Sequence, residues 1–213
     1  MSGTNESPGA VVTNQSIHAY LEALSAREPT PGGGSVAALV GALGAGLAAM
    51  VANFTRGRKK YAAVAPEVEE RLAQLSQSLR ALEELVQEDI EAYGVVGAGF
   101  AMPRGSDEEQ AARSVHIQQA SIQATEVLFA IADGCVQVSD HALWLAKHGN
   151  SNLLADAVMA VLLSEAALQG TVVTIRSSLG FIKDDTVVAA MGERLVSYDK
   201  MTEAREEALS CAQ

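Results

Sequence analysis

The chain of 213 residues carries 15 Lys and Arg against 26 Asp and Glu, a formal net charge of −11, with 48% hydrophobic and 4% aromatic residues. Its length suits one large domain or two small ones, and we read one; Ala, Leu and Val must supply the core, which favours helices and disfavours an all-β fold. The acidic balance repels phosphate backbones and argues against a nucleic-acid partner, leaving Arg56-Gly57-Arg58-Lys59-Lys60 as a local basic cluster suited to a small anion.

Residues 1–15 are polar and lack the basic start and apolar stretch of a secretory signal, so a disordered tail is expected there, followed by a single helical domain over 16–213. Ile17, Tyr20, Leu21 and Leu24 keep the i, i+3, i+4, i+7 spacing of a short amphipathic helix from Ser16 to Ala26. Pro29-Thr30-Pro31-Gly32-Gly33-Gly34-Ser35 stops it, and Ser35 is placed to cap an uncharged helix from Val36 to Thr55. That uncharged run with a basic flank has the length of a membrane span. Its residues argue otherwise: Ala37, Gly41, Ala45, Ala48 and Ala52 form a bare face for close backbone approach, and Ala and Gly gain little in lipid. A buried central helix without a membrane partner is expected.

Pro66 suits the first turn of a third helix reaching Met102. Val68, Leu72, Leu75, Leu79, Leu82 and Val86 alternate by four and three, the spacing that seats one helix along another. The same count lands next on Asp89, then on Tyr93, Val96 and Phe100, so a carboxylate stands where the pattern asks for an apolar residue. Pro103-Arg104-Gly105 breaks the chain, and Ser106 with Glu109 makes a capping box for a fourth helix to Lys147. Gly149-Asn150-Ser151-Asn152 forms the next turn, a fifth helix spans Leu153 to Leu179, and Asp184-Asp185 opens a charged terminal helix. The whole reads as an all-α bundle of five to six mostly long helices.

An acid on a helical seam must be paired, protonated or facing a wet cleft, which makes Asp89 a candidate site residue and equally a candidate structural partner for a Lys or Arg. Gly32, Gly33 and Gly34 let backbone N–H groups crowd towards a ligand at a helix N-terminus, an arrangement suited to a carboxylate or phosphate and also met in plain structural turns. It lacks the Gly-Lys-Ser/Thr of a P-loop, and Gly41, Gly44 and Gly46 lie within a helix, so the dinucleotide motif fails as well. Arg58, Lys59 and Lys60 resemble a solvated helix end, and Asn150, Asn152 and Asp156 resemble helix-start residues. His18, His116, His141 and His148 offer no metal-ligand spacing, Cys135 and Cys211 no CxxC or Cys/His pattern, and no serine sits in a nucleophile elbow. No metal site is expected, and the cysteine usage fits a reducing cytoplasm.

Taken together, PTPGGGS-VAA, the run Gly57 to Tyr61, Glu88-Asp89-Ile90-Glu91-Ala92-Tyr93, Pro103 with Glu108-Glu109, and Gly149-Asn150-Ser151-Asn152 with Asp156 resemble the cyclodeaminase/cyclohydrolase family, in order from about Ile17 to Asp185. The resemblance implies an all-helical homodimer with clefts near the subunit interface and a folate substrate, without metal or redox cofactor. It implies Asp89 as the catalytic acid. It also implies that Gly32, Gly33, Gly34, Ser35, Arg58, Lys59, Tyr61, Asn150, Asn152 and Asp156 line the substrate site. The implied reaction is hydrolysis of 5,10-methenyltetrahydrofolate to 10-formyltetrahydrofolate, with 5-formiminotetrahydrofolate cyclodeamination as the alternative.

The family pattern is departed from at Leu128, where Pro is usual, at Ala155 and Val158 in place of Ser and Gly, and over Thr174 to Ser178 in place of an Asn-rich stretch. These changes remove hydrogen-bonding groups and keep open a relative acting on another amidine or imine. A third reading, from another class, is a non-catalytic helical interaction protein in which Asp89 pairs with a cation.

Overall fold

The computed structural model describes residues 11–198 and 202–211. Seven α-helices run in order: α1 (Ile17–Ser25), α2 (Gly33–Thr55), α3 (Ala65–Ala101), α4 (Asp107–His148), α5 (Leu154–Leu179), α6 (Asp185–Val196) and α7 (Thr202–Cys211). Among the described residues there is no strand, so the all-α expectation holds, with seven helices in place of five to six. The expected single terminal helix ends as α6 at Val196, beyond which Tyr198 turns inward and its hydroxyl donates to Asp133 at 2.5 Å.

Residues 1–10 lie outside the described residues. Those from 11 to 15, assigned to the tail from sequence, contain a short 3-10 turn at Val12–Asn14, and the Val12 N–H donates to Gln87 Oε1 at 2.9 Å. That bond fastens residues 11–15 to α3, so this part of the segment assigned to a tail packs on the bundle.

Helix α2 is the axle of the bundle, packed against α3, α4 and α5. Its small residues explain why: a Cβ on Gly41 would come 2.9 Å from Cys135 Sγ on α4, and one on Gly44 would come 2.8 Å from Ser164 Oγ and 3.2 Å from the Ala160 carbonyl on α5. Only a bare backbone allows neighbours that close. Both α2 and the stretch Ser151–Leu179 are long and apolar enough to cross a membrane, but 56% and 50% of their most apolar windows are buried against the bundle. On α3, Val68, Leu75, Leu82 and Val86 are buried and Leu72 and Leu79 partly so, which matches the seam read from the sequence.

Helix α2 begins three residues earlier than expected, with Gly32 as N-cap. Ser35 lies inside the first turn, where its hydroxyl accepts from the Gly32 N–H at 3.2 Å and donates to the Gly32 carbonyl at 3.0 Å. The serine thus closes the turn from within in place of capping the helix from outside.

Candidate active site

The Gly-rich turn and Asp89 form one constellation. A Cβ on Gly34 would fall within 2.7 Å of all three carboxyl atoms of Asp89, so the acid rests directly on the first turn of α2. The Ser35 backbone N–H donates to it. Such a contact uses one of the orphan donors at a helix N-terminus and the positive end of the helix dipole.

Burial nonetheless wins: desolvation raises the Asp89 carboxyl above its ordinary range, and the Ser35 N–H offsets only part of that rise. Among the described residues Asp89 forms no ion pair. A half-buried carboxylate without a cationic partner is a receptor for a cation brought by a ligand, or a base for a nearby proton.

Other groups complete this end of the bundle. Ser35 is buried, with the Tyr20 hydroxyl 3.3 Å from its Oγ, so it offers the site its N–H and not its side chain. Helix α5 arrives antiparallel, and Thr174 Oγ1 lies 3.8 Å from where a Cβ on Gly33 would stand. Thr174, one of the departures from the family pattern, therefore flanks the Gly-rich turn, and its hydroxyl and that of Ser178, one turn further on, are bonded back to the helix, to the carbonyls of Gly170 and Thr174. Leu128 is a core residue on α4, 4% exposed.

The remaining sequence-predicted residues gather elsewhere. Arg58 and Lys59 follow the end of α2, past Gly57, whose positive φ of 70° makes the turn. The Tyr61 hydroxyl accepts from the Ser151 N–H at 3.0 Å and lies 3.4 Å from Ser151 Oγ, to which Lys60 Nζ donates at 3.1 Å. These bonds and the Lys60 charge lower the Tyr61 phenol to about 8. Asn150 is a clamp: its N–H donates to Thr55 Oγ1 at 2.8 Å, its Nδ2 to the Phe54 carbonyl at 3.2 Å, and its Oδ1 accepts from Asn152 N. Asp156 lies in the first turn of α5 at the same end.

The two clusters stand at opposite ends of α2, which has 23 residues and so separates them by about 34 Å. One chain does not bring Asp89 and the Gly-rich turn together with Arg58, Lys59, Tyr61, Asn150, Asn152 and Asp156. Lys60, read from the sequence as part of the basic cluster, and Ser151, read as part of the Gly149–Asn152 turn, are central to the second cluster, but their pairing was not foreseen. The bonds that make them partners join positions 90 and 91 apart in sequence, and no local spacing signals such a pair. Among the described residues no group of three or more His, Cys, Asp or Glu is placed to hold a metal ion.

Comparisons with known proteins show which family this fold belongs to. The chain is 38% identical over 162 residues to methenyltetrahydrofolate cyclohydrolase of Methylorubrum extorquens, covering 76% of this chain and 78% of that one. It is 28% identical to formimidoyltransferase-cyclodeaminase of Rattus norvegicus over 94% of its own length, spanning 37% of that longer protein. The crystal structure of formiminotetrahydrofolate cyclodeaminase from Thermotoga maritima superposes with a TM-score of 0.84 at 29% identity, over 94% of this chain and 96% of that one. The formiminotransferase-cyclodeaminase pattern matches residues 16–197, and the chain belongs to that family.

Proposed function

We propose that the protein hydrolyses 5,10-methenyltetrahydrofolate to 10-formyltetrahydrofolate at Asp89. The observation that carries this reading is the desolvated carboxylate on the first turn of α2, which forms no ion pair among the described residues. The methenyl bridge is an amidinium-like cation, the charge such a carboxylate attracts. Water adds to the bridge carbon as Asp89 takes one of its protons. The bond from that carbon to N5 then breaks, N5 gains a proton, and the formyl group stays on N10. One water is consumed and one proton released, and the balance needs no redox partner or metal. A 5-formiminotetrahydrofolate cyclodeaminase would use the same carboxylate, but the higher identity to the cyclohydrolase over most of both chains favours hydrolysis.

The working unit in this reading is a homodimer. Leu43 and Phe54 are 56% and 51% exposed on α2. Leu39, Leu43, Leu47 and Met50 line an open apolar groove of about 740 Å³ beside the N-terminal segment, a surface suited to a second copy. A second copy related by a two-fold axis across α2 would bring its Arg58, Lys59 and Tyr61 towards this chain's Gly-rich turn, closing the cleft that one chain leaves open. The unpaired Cys135 and Cys211 support a reducing compartment such as the cytoplasm.

The test is the loss of methenyl absorbance with purified protein and with Asp89→Asn. Asp89-dependent decay above background is expected. Equal decay with both proteins, each fully helical, would remove the reading.

A further inference from the structure

A second cleft opens where α3 ends, α4 begins and α5 turns into α6. It encloses about 710 Å³, and its walls include Phe100, Arg104, Arg113, Ser114, Phe181 and Lys183, with no acidic residue among them. In a chain with 26 acids and 15 Lys and Arg, this cleft gathers three cations and no acid among its described lining residues. None of the three forms an ion pair among the described residues.

The nearby acids Glu109 and Asp184 are engaged as helix caps, accepting from Gly105 and Ser106 N–H and from Thr186 and Val187 N–H respectively. Arg113 donates to the Phe100 carbonyl at 3.3 Å with its guanidinium 5.5 Å from the Phe100 ring centre, yet its buried Nε has no partner among the described residues. Lys183 Nζ donates to Ser114 Oγ at 3.3 Å. Gln118 fixes the loop, donating to the Phe181 carbonyl at 2.9 Å and accepting from the Lys183 N–H at 2.7 Å.

The cleft is aligned with the candidate site. Phe100 follows Asp89 by 11 residues on the same helix, which places it about 16 Å further along α3 and only about 20° around it. Tyr93 lies between them, about 40° from Asp89. Tyr93 and Phe100 are 50% and 51% exposed, and nothing among the described residues stands within 4 Å of a Cβ at Gly97. An open aromatic track thus leads from the carboxylate to the cations.

We propose that this cleft receives the anionic tail of the substrate: an elongated ligand with its reacting cation at Asp89 lays its aromatic middle along Tyr93 and Phe100 and its glutamyl carboxylates between Arg104, Arg113 and Lys183. The proposal rests on the folate reading. It assigns the tail to cations on the same chain as Asp89, in contrast to Arg58 and Lys59, which lie at the far end of α2.

The test compares 5,10-methenyltetrahydrofolate bearing one or three γ-linked glutamates as substrates, and free tri-γ-glutamate as a ligand by calorimetry. The proteins are the full chain, Arg104→Ala/Arg113→Ala, Arg104→Glu/Lys183→Glu and Arg58→Ala/Lys59→Ala. The wild type is expected to show a KM about tenfold lower for the longer tail, a difference worth one additional charged contact. Both cleft variants should bring the KM ratio close to one. A ratio that survives in both, or that collapses in Arg58→Ala/Lys59→Ala instead, overturns the proposal. If neither folate is turned over, the folate reading fails while the calorimetry still reads the cleft: Arg104-dependent tri-γ-glutamate binding keeps it as an oligocarboxylate site, and absent binding to the wild type overturns it.

Discussion

Gly34 and Asp89 share one space: the carboxylate of the acid occupies the volume that any side chain at position 34 would need. The glycine is thus required by the acid, and the acid is positioned by the helix turn on which it rests. Gly34→Ala should displace the carboxylate and lower turnover on the order of 10²-fold, since misplacement by about 1 Å has that cost. Gly33→Ala is the control, because its added methyl meets Thr174 Oγ1 at an ordinary 3.8 Å. Initial rates for the two variants check this, and equal rates would separate Asp89 from the chemistry.

Asp89→Asn should lower turnover by about 10² to 10⁴-fold, the range ordinary for loss of a general base. It should do so without loss of stability. Burial raises the Asp89 carboxyl in the folded chain, so ionising it costs the folded state more than the unfolded one. That cost is absent below the unfolded carboxylate range near 3.9 and grows as pH rises through the folded value. Melting curves at pH 8 should place the Asn variant level with or above the wild type. In the wild type, turnover should fall with acidification at a pH above the usual carboxylate range.

How far this was legible in the sequence differs between residues. The seam from Val68 to Val86 led to Asp89 because a helix repeats its faces locally, and the Ser106–Glu109 capping box was readable for the same reason, with its bonds at 3.1 and 3.2 Å. Ser35 was misplaced because a serine near a glycine run serves equally as an outer cap or as an inward closure, and only the course of the chain at Gly32 decides. The separation of Asp89 from Arg58 and Tyr61 was invisible, since family motifs fix order along the chain and not distance in space. Arg104, Arg113 and Lys183 come from three different segments, so no spacing joins them into a cleft.

Tyr61 should titrate at about 8, well below an ordinary phenol, because Ser151 donates to its oxygen and Lys60 stands beside it. The phenolate forms as pH rises through that value. Phenolate absorbance of the wild type minus Tyr61→Phe isolates this step from the other tyrosines, of which Tyr198 is pushed the opposite way by burial and the Asp133 carboxylate. Ser151→Ala should move the step towards 10, the model-compound value. A midpoint unmoved by that change would show that the Ser151 contacts do not set it.

Gly44→Val should destabilise the bundle by about 1–3 kcal/mol, the usual cost of overpacking a filled core. The first contact of the added Cβ, at 2.8 Å, is a serine hydroxyl, but the second is the Ala160 backbone carbonyl at 3.2 Å, which cannot rotate away. Gly170→Ala is the matched control on α5, where nothing among the described residues lies within 4 Å, and there the better helix propensity of Ala should add up to about 1 kcal/mol. Urea unfolding of both variants checks the contrast.

The homodimer reading makes a sharper prediction than size alone. If a cleft takes Asp89 from one copy and Tyr61, Arg58 and Lys59 from the other, then Asp89→Asn and a triple variant Arg58→Ala/Lys59→Ala/Tyr61→Phe, each strongly impaired by itself, should complement on mixing. Random exchange at equal amounts makes about half of the dimers mixed, and each mixed dimer holds one intact cleft of two, so about a quarter of wild-type activity returns. Dilution below the dimer dissociation constant before mixing speeds the exchange and should bring the same endpoint sooner. If the mixture stays inactive although mass spectrometry shows mixed dimers, both clusters would have to serve a cleft from the same chain, which about 34 Å of continuous α2 does not permit, and the composite site would be abandoned.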